Sequence, residues 1–145
     1  MKIYLDLCAL KRPFDDQSQG RINMETQAVI RILGAFFAGV VEVCNSAALV
    51  FENERNPNPQ RRERTAILLS SFRQPSVATD GIFARAEAVR ALGFHDLDAL
   101  HIAFAESDGA DYFITADDEI LKSRVLRRLG VKILGPIELV ATLNL

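Results

Sequence analysis

Asp96-Leu97-Asp98-Ala99-Leu100-His101-Ile102-Ala103-Phe104-Ala105, then Tyr112-Phe113-Ile114-Thr115 and the run from Asp118 to Leu134, decide the fold. Asp96 is the expected N-cap of a helix over 97–107, because an aspartate before an apolar run satisfies the orphan N–H groups of the first turn. Tyr112 to Thr115 is short, apolar and β-prone, the pattern of a buried strand. Asp118 to Leu129 opens with acids and reads as a helix, and Val131 to Leu134 as a further strand. Helix, strand, helix, strand in quick succession predicts a parallel sheet, whose neighbouring strands need crossover helices.

The rest of the chain follows the same grammar. Ile3-Tyr4-Leu5 is an apolar run ending at Asp6, which predicts a first buried strand. Lys11 to Arg21 holds Pro, Gly and polar residues and reads as a loop. Ile22, Val29, Ile32, Leu33, Phe36 and Phe37 recur at helical spacing, with Gly39 as the stop. Val40 to Cys44 is a second strand, and Asn45 and Ser46 offer a cap for a helix over 47–54. Asn58 with Pro59 suits the start of another helix, running to about Phe72. Ser76 to Thr79 is a brief strand or loop, Asp80 is the expected cap of a helix ending at Gly93, and Pro136 opens a last short helix. The expected architecture is α/β: a three-layer α/β/α sandwich around a mainly parallel sheet, with residues 1–145 as one domain.

Composition narrows the function. Hydrophobic residues at 49% and charged residues at 25% describe an ordinary globular chain. A formal net charge of −2 excludes nucleic-acid binding by bulk positive charge, so any RNA must be met by a local patch or through bound cations. Cys8 and Cys44 are too few for a disulfide scaffold and sit in apolar stretches, which predicts buried thiols. The N-terminus reads as a strand rather than a signal peptide, and the apolar region 32–51 is broken by Glu42, Asn45 and Ser46. These features predict a cytoplasmic protein with no membrane span.

Three acids fall where ligands gather in open α/β sheets, beyond the carboxyl ends of strands. Asp6 ends the first strand, Glu52 lies on the helix after the second, and Asp117 follows the strand ending at Thr115. Asp98 lies near the start of a helix. Four converging carboxylates repel one another, and a hard divalent cation relieves that repulsion. Chance placement is the competing reading, since the chain carries 19 Asp and Glu residues and Asp favours turns and caps.

A more specific signal is the order of the motifs. Asp98-Ala99-Leu100-His101-Ile102-Ala103 followed by Thr115-Ala116-Asp117 resembles the D-A-x-H-x-A helix and T-x-D strand end of PIN-domain nucleases. Tyr4-Leu5-Asp6 with Leu10 looks like the family's opening strand, and Ser46 with Glu52 like its second acidic motif. The resemblance covers essentially the whole chain. It implies a PIN-like fold, cleavage of single-stranded RNA with Mg²⁺ or Mn²⁺, and kinship with the VapC-type toxins of toxin–antitoxin pairs. It also implies an antitoxin partner and a homodimer. By position, Asp6, Glu52, Asp98 and Asp117 match the acidic quartet and Thr115 its accompanying hydroxyl, with Glu54 as the competitor for Glu52. The loop 11–16 is longer and more charged than the simplest members show. The alternative is a catalytically inactive PIN-like domain that binds RNA or a partner protein.

Other residues earn weaker readings. His101 lies one turn after Asp98, where it either hydrogen-bonds a ligand carboxylate from behind or is simply a buried histidine. Ser46 is its companion in that outer layer. Arg61 and Arg62 fall in the first turn of a helix, where cations oppose the dipole. With Arg55 nearby they form a candidate patch for the RNA backbone, against the plainer reading of a solvated charged face. A haloacid-dehalogenase phosphatase would need D-x-D after the first strand, where Cys8 stands instead. No phosphate-binding G-x-x-x-x-G-K-[ST] loop or G-x-S-x-G elbow occurs.

Overall fold

Ile3, Tyr4 and Leu5 lose essentially all contact with solvent, and Phe113 and Ile114 do the same beside them. Continuous apolar strands of this kind are stable only with both faces covered. The computed structural model, which describes residues 1–145, places them at the centre of a four-stranded parallel sheet. The strands are β1 (Lys2–Leu5), β2 (Glu42–Val43), β3 (Tyr112–Ile114) and β4 (Lys132–Leu134), in the order β2-β1-β3-β4. Tyr4 stands opposite Phe113, and their rings stack at 5.3 Å and 10° between planes.

Eight α-helices connect and cover the strands: α1 (Leu7–Leu10), α2 (Gly20–Phe37), α3 (Ala47–Glu54), α4 (Pro59–Ser70), α5 (Asp80–Arg90), α6 (Asp96–Ser107), α7 (Asp118–Leu121) and α8 (Pro136–Leu143). The chain leaves β1 through α1 and α2 to reach β2 on one side, then returns through α3–α6 to β3 on the other. Right-handed crossovers in opposite directions put their helices on opposite faces of the sheet. Accordingly α2 packs with α8, while α6 packs with α5 and α3. The expected α/β architecture, a parallel sheet covered by helices, is the observed one.

Local boundaries differ in instructive ways. The second strand spans only Glu42–Val43, although the Cys44 N–H still bonds the Ile3 carbonyl at 2.8 Å. Gly39 adopts φ +75°, the left-handed turn that stops α2, and leaves Val40 exposed before the ladder begins. Thr79, not Asp80, caps α5 by accepting from the Ile82 N–H at 3.2 Å. Asp96 is likewise the first residue of α6 rather than its cap. The helix starts a residue early because the His95 carbonyl accepts from the Ala99 N–H at 2.8 Å. The expected helix over 118–129 is cut to Asp118–Leu121, and 126–128 forms a separate 3₁₀ turn. There the Ser123 hydroxyl accepts from the Val125 N–H at 3.3 Å, a local bond that competes with the helical ladder. No helix is long and apolar enough to cross a membrane.

Candidate metal centre at the carboxyl edge of the sheet

The order β2-β1-β3 reverses direction between β1 and β3, and a crevice opens beyond the carboxyl ends of strands at such a point. Asp6 and Thr115 extend those two strands. The Asp6 N–H bonds the Ile114 carbonyl at 2.9 Å, and the Thr115 N–H bonds the Leu134 carbonyl at 3.1 Å, so both residues ride on the ladder itself. The Asp6 side chain is 5% exposed. One of its oxygens, Oδ2, accepts from the Thr115 hydroxyl at 2.9 Å and from the Cys8 thiol at 3.2 Å. Thr115 Oγ1 also accepts from the Asp117 N–H at 3.1 Å, tying the turn after β3 to the same point.

Glu52 comes to this edge from the middle of α3, and His101 from α6. Ligand atoms of Asp6, Glu52 and His101 all lie within 4.8 Å of one another. His101 Nε2 stands 3.4 Å from Glu52 Oε2, yet both atoms are buried without a hydrogen-bond partner. Its other nitrogen, Nδ1, is 2.6 Å from the Tyr4 hydroxyl, which is 2.7 Å from Ser46 Oγ. Ser46 caps α3 by accepting from the Leu49 N–H at 3.1 Å. Glu54, the competing acid, is exposed and lines a groove between α3 and α4 with Ala66 and Arg73.

Asp98, half-buried in the first turn of α6, and Asp117, which caps α7 by accepting from the Glu119 N–H at 2.9 Å, lie outside that 4.8 Å group. Charge couples them. Burial, then the neighbouring Asp6 and Asp117 carboxylates, push Asp98 up to about 6. Asp6 is raised as well, chiefly by burial and further by Glu52. The hydrogen bonds from Cys8 and Thr115 pull the other way. Acids so arranged resist losing their protons together. The donor set suits a hard divalent cation: mutually repelling carboxylates, and a buried Glu52 oxygen left without a donor.

Two residues at this edge escaped the sequence reading. Cys8 was expected as an inert buried thiol, yet its Sγ lies 3.2 Å from Thr115 Oγ1 and accepts from the Ala116 N–H at 3.4 Å. Its position two residues after Asp6, on the turn that folds back over the strand end, was the available signal. Tyr4 was read only as core, and nothing local in the sequence marks the partner it finds 97 residues away.

The arginines are placed differently from a free phosphate patch. Arg61 pairs with Asp15 Oδ1 at 2.8 Å and donates to the Phe14 carbonyl. Arg62 donates to the Asn56 carbonyl at 2.8 Å. The charge mismatch of a cationic first turn is therefore relieved within the protein, in part by the charged loop 11–16. Arg55 lies over the exposed Phe51 ring, 5.3 Å from its centroid.

No family model and no curated protein matches the sequence. Among solved structures the chain is similar to one in the crystal structure of VapBC2 from Rickettsia felis bound to a DNA fragment from their promoter. The TM-score is 0.58 at 10% sequence identity, over 93% of this chain and 98% of that one. At that identity what the two share is the fold, the parallel α/β arrangement that the PIN-like motifs imply.

Proposed function

We propose that this protein is a Mg²⁺- or Mn²⁺-dependent ribonuclease that hydrolyses phosphodiester bonds of single-stranded RNA, with Asp6, Glu52, Asp98 and Asp117 holding the cation. The observation that carries the reading is the convergence of Asp6 and Glu52 with His101 to within 4.8 Å at the strand ends, with Asp98 lifted to about 6 first by burial and then by the charges of Asp6 and Asp117. Structural ion-pair networks also perturb such groups, but here the leading influences on Asp6 and Asp98 are burial, neighbouring carboxylates and histidine rather than an arginine or lysine.

A bound divalent cation would supply activation of an attacking water and neutralisation of charge growing on the phosphate. The chain's own contributions are geometric. Asp6 is fixed by the sheet ladder and by the Thr115 and Cys8 bonds to Oδ2, which leaves Oδ1 without a hydrogen-bond partner from the chain. Asp98 enters from the start of α6, where the helix N-terminus favours negative charge. Glu52 closes the third side. Thr115 orients the Asp6 carboxylate by donating to it. Arg55 on its Phe51 platform is the remaining candidate for the RNA backbone, combining a cation with an exposed ring.

The VapBC2 likeness and the motif resemblance together favour a toxin with an antitoxin partner, acting as a homodimer. Light scattering of the purified chain and co-expression with any adjacent short reading frame test those two points. Activity is tested by incubating the protein with mixed single-stranded RNA and Mg²⁺ or Mn²⁺, beside Asp6→Asn and Asp98→Asn controls. Cation-dependent cleavage lost in both controls is the expected result; cleavage that survives both places the activity elsewhere.

A further inference from the structure

The chain of contacts behind Glu52 fixes where its protons sit. Ser46, Tyr4 and His101 are each withdrawn from solvent, at 0% exposure, so no bulk water completes their hydrogen bonding. Ser46 Oγ accepts from the Leu49 N–H, and its own proton has one acceptor in reach, the Tyr4 oxygen at 2.7 Å. The Tyr4 proton then goes to His101 Nδ1 at 2.6 Å. That leaves the imidazole proton on Nε2, the atom facing Glu52 Oε2 at 3.4 Å.

The opposite direction fails on the same count. If Nδ1 carried the proton, it would donate to Tyr4, Tyr4 would donate to Ser46, and the Ser46 hydroxyl proton would be buried with no acceptor. A buried hydroxyl left without an acceptor loses its hydration with nothing in return. Burial also holds the Tyr4 phenol far above its ordinary range, so it remains a donor.

We propose that the Ser46–Tyr4 pair locks His101 in the Nε2–H form, making it a positioning residue that presents a donor to Glu52 and cannot itself ligate the cation. The proposal rests on the cation site proposed above and sharpens it. Asp6, Glu52 and His101 are near enough to form a mixed nitrogen and oxygen triad, which would suit zinc and other transition ions. With the Nε2 lone pair absent, the site is all oxygen and is matched to Mg²⁺ or Mn²⁺. The Glu52 oxygen that no other group serves faces this N–H at 3.4 Å, near enough for attraction although the two are not aligned as a hydrogen bond.

The decisive measurement is a two-bond ¹H–¹⁵N correlation spectrum of the imidazole rings at neutral pH. The chain has two histidines, so a His95→Gln variant leaves His101 alone. The Nε2–H pattern is expected without cation, and unchanged with Mg²⁺. Tyr4→Phe, which keeps the ring but removes the donor to Nδ1, should give a mixture of forms. An Nδ1–H or imidazolium pattern in the parent protein, or a Nε2 resonance displaced by Mg²⁺ as a direct ligand would be, overturns the proposal.

Calorimetric titration with Mg²⁺ gives a second readout. His101→Leu should bind about 10–100-fold more weakly, as is usual when a ligand loses its outer hydrogen-bond partner. His101→Gln, whose amide N–H reaches toward the Nε2 position, should recover much of that loss, while equal loss in both variants counts against the positioning role. Circular dichroism confirms that each variant is folded. A parent protein that binds no Mg²⁺ at all would sink the cation site, while the metal-free spectrum still decides the tautomer.

Discussion

Asp98 shows how one residue, placed above in the proposed cation site, can cost the fold stability. Its carboxyl is lifted to about 6 in the folded protein, above its ordinary value of 3.8, so the native state binds that proton more tightly than the unfolded chain. Without cation, stability from this group is therefore greatest at low pH and falls as pH rises through the window from about 4 to about 6. Asp6 contributes in the same direction. Asp118, lowered by Arg21, acts oppositely, losing its contribution only as pH drops below the ordinary carboxylate range. In EDTA the melting temperature should thus be higher at pH 5 than at pH 7, and Asp98→Asn should raise it at pH 7 and flatten the slope. A pH 7 melting temperature lowered by Asp98→Asn would contradict the repulsion described here. The cysteines give a second test. Burial raises both thiols, Cys44 to about 11 and Cys8 higher, the latter with help from the Asp6 charge. Because the thiolate is the reactive form, neither should react quickly with a thiol reagent at pH 8 until the protein is unfolded. Rapid native labelling of Cys8 would show that the strand end is less enclosed than it is drawn here.

At the scale of elements, the sequence carried type and order better than it carried ends. Helical periodicity identified α2, a cap signal before an apolar run identified α6, and apolar runs identified β1 and β3, because each pattern spans several residues. Caps depend on one residue each. At the start of α5 both Thr79 and Asp80 are good caps by composition, and the chain chooses the threonine. Thr79→Ala should therefore cost about 1 kcal/mol of stability, and Asp80→Ala about 0.3 kcal/mol, the contribution of a first-turn acid. Equal costs in thermal melts would return the cap to Asp80. The truncation of α7 was not legible, since Ser123 is compatible with a helix until its hydroxyl takes the Val125 N–H instead. Asp6 and Glu52, which the structure brings together with His101, were visible as a strand-end and a motif residue. Tyr4 was not, because its partners Ser46 and His101 are brought to it by the sheet rather than by spacing along the chain.

For the whole molecule, topology does what charge alone could not. An acidic chain gathers carboxylates at one edge by placing β1 and β3 side by side at the point where strand order reverses. Binding of Mg²⁺ or Mn²⁺ to the native state alone should raise the melting temperature with cation concentration, by about 2.7 kcal/mol in stability at one hundred times the dissociation constant. Asp6→Asn should abolish most of that rise. A parent protein whose melting temperature ignores both ions would favour the inactive, partner-binding alternative.

The Asp6 N–H that bonds the Ile114 carbonyl is the last rung between two central strands. Its exchange with deuterium requires the β1–β3 seam to part, so this amide should exchange only through the rarest openings of the molecule. The same opening would pull the Asp6 carboxylate away from Thr115 and from the other acids. Losing the site and losing the core are then one event, seen from two sides. A cation added to the protein should slow exchange at Asp6 and Thr115 by the same factor as at Phe113, deep in the sheet. Protection that rises at the strand end alone would instead reveal a hinge between the site and the fold that carries it.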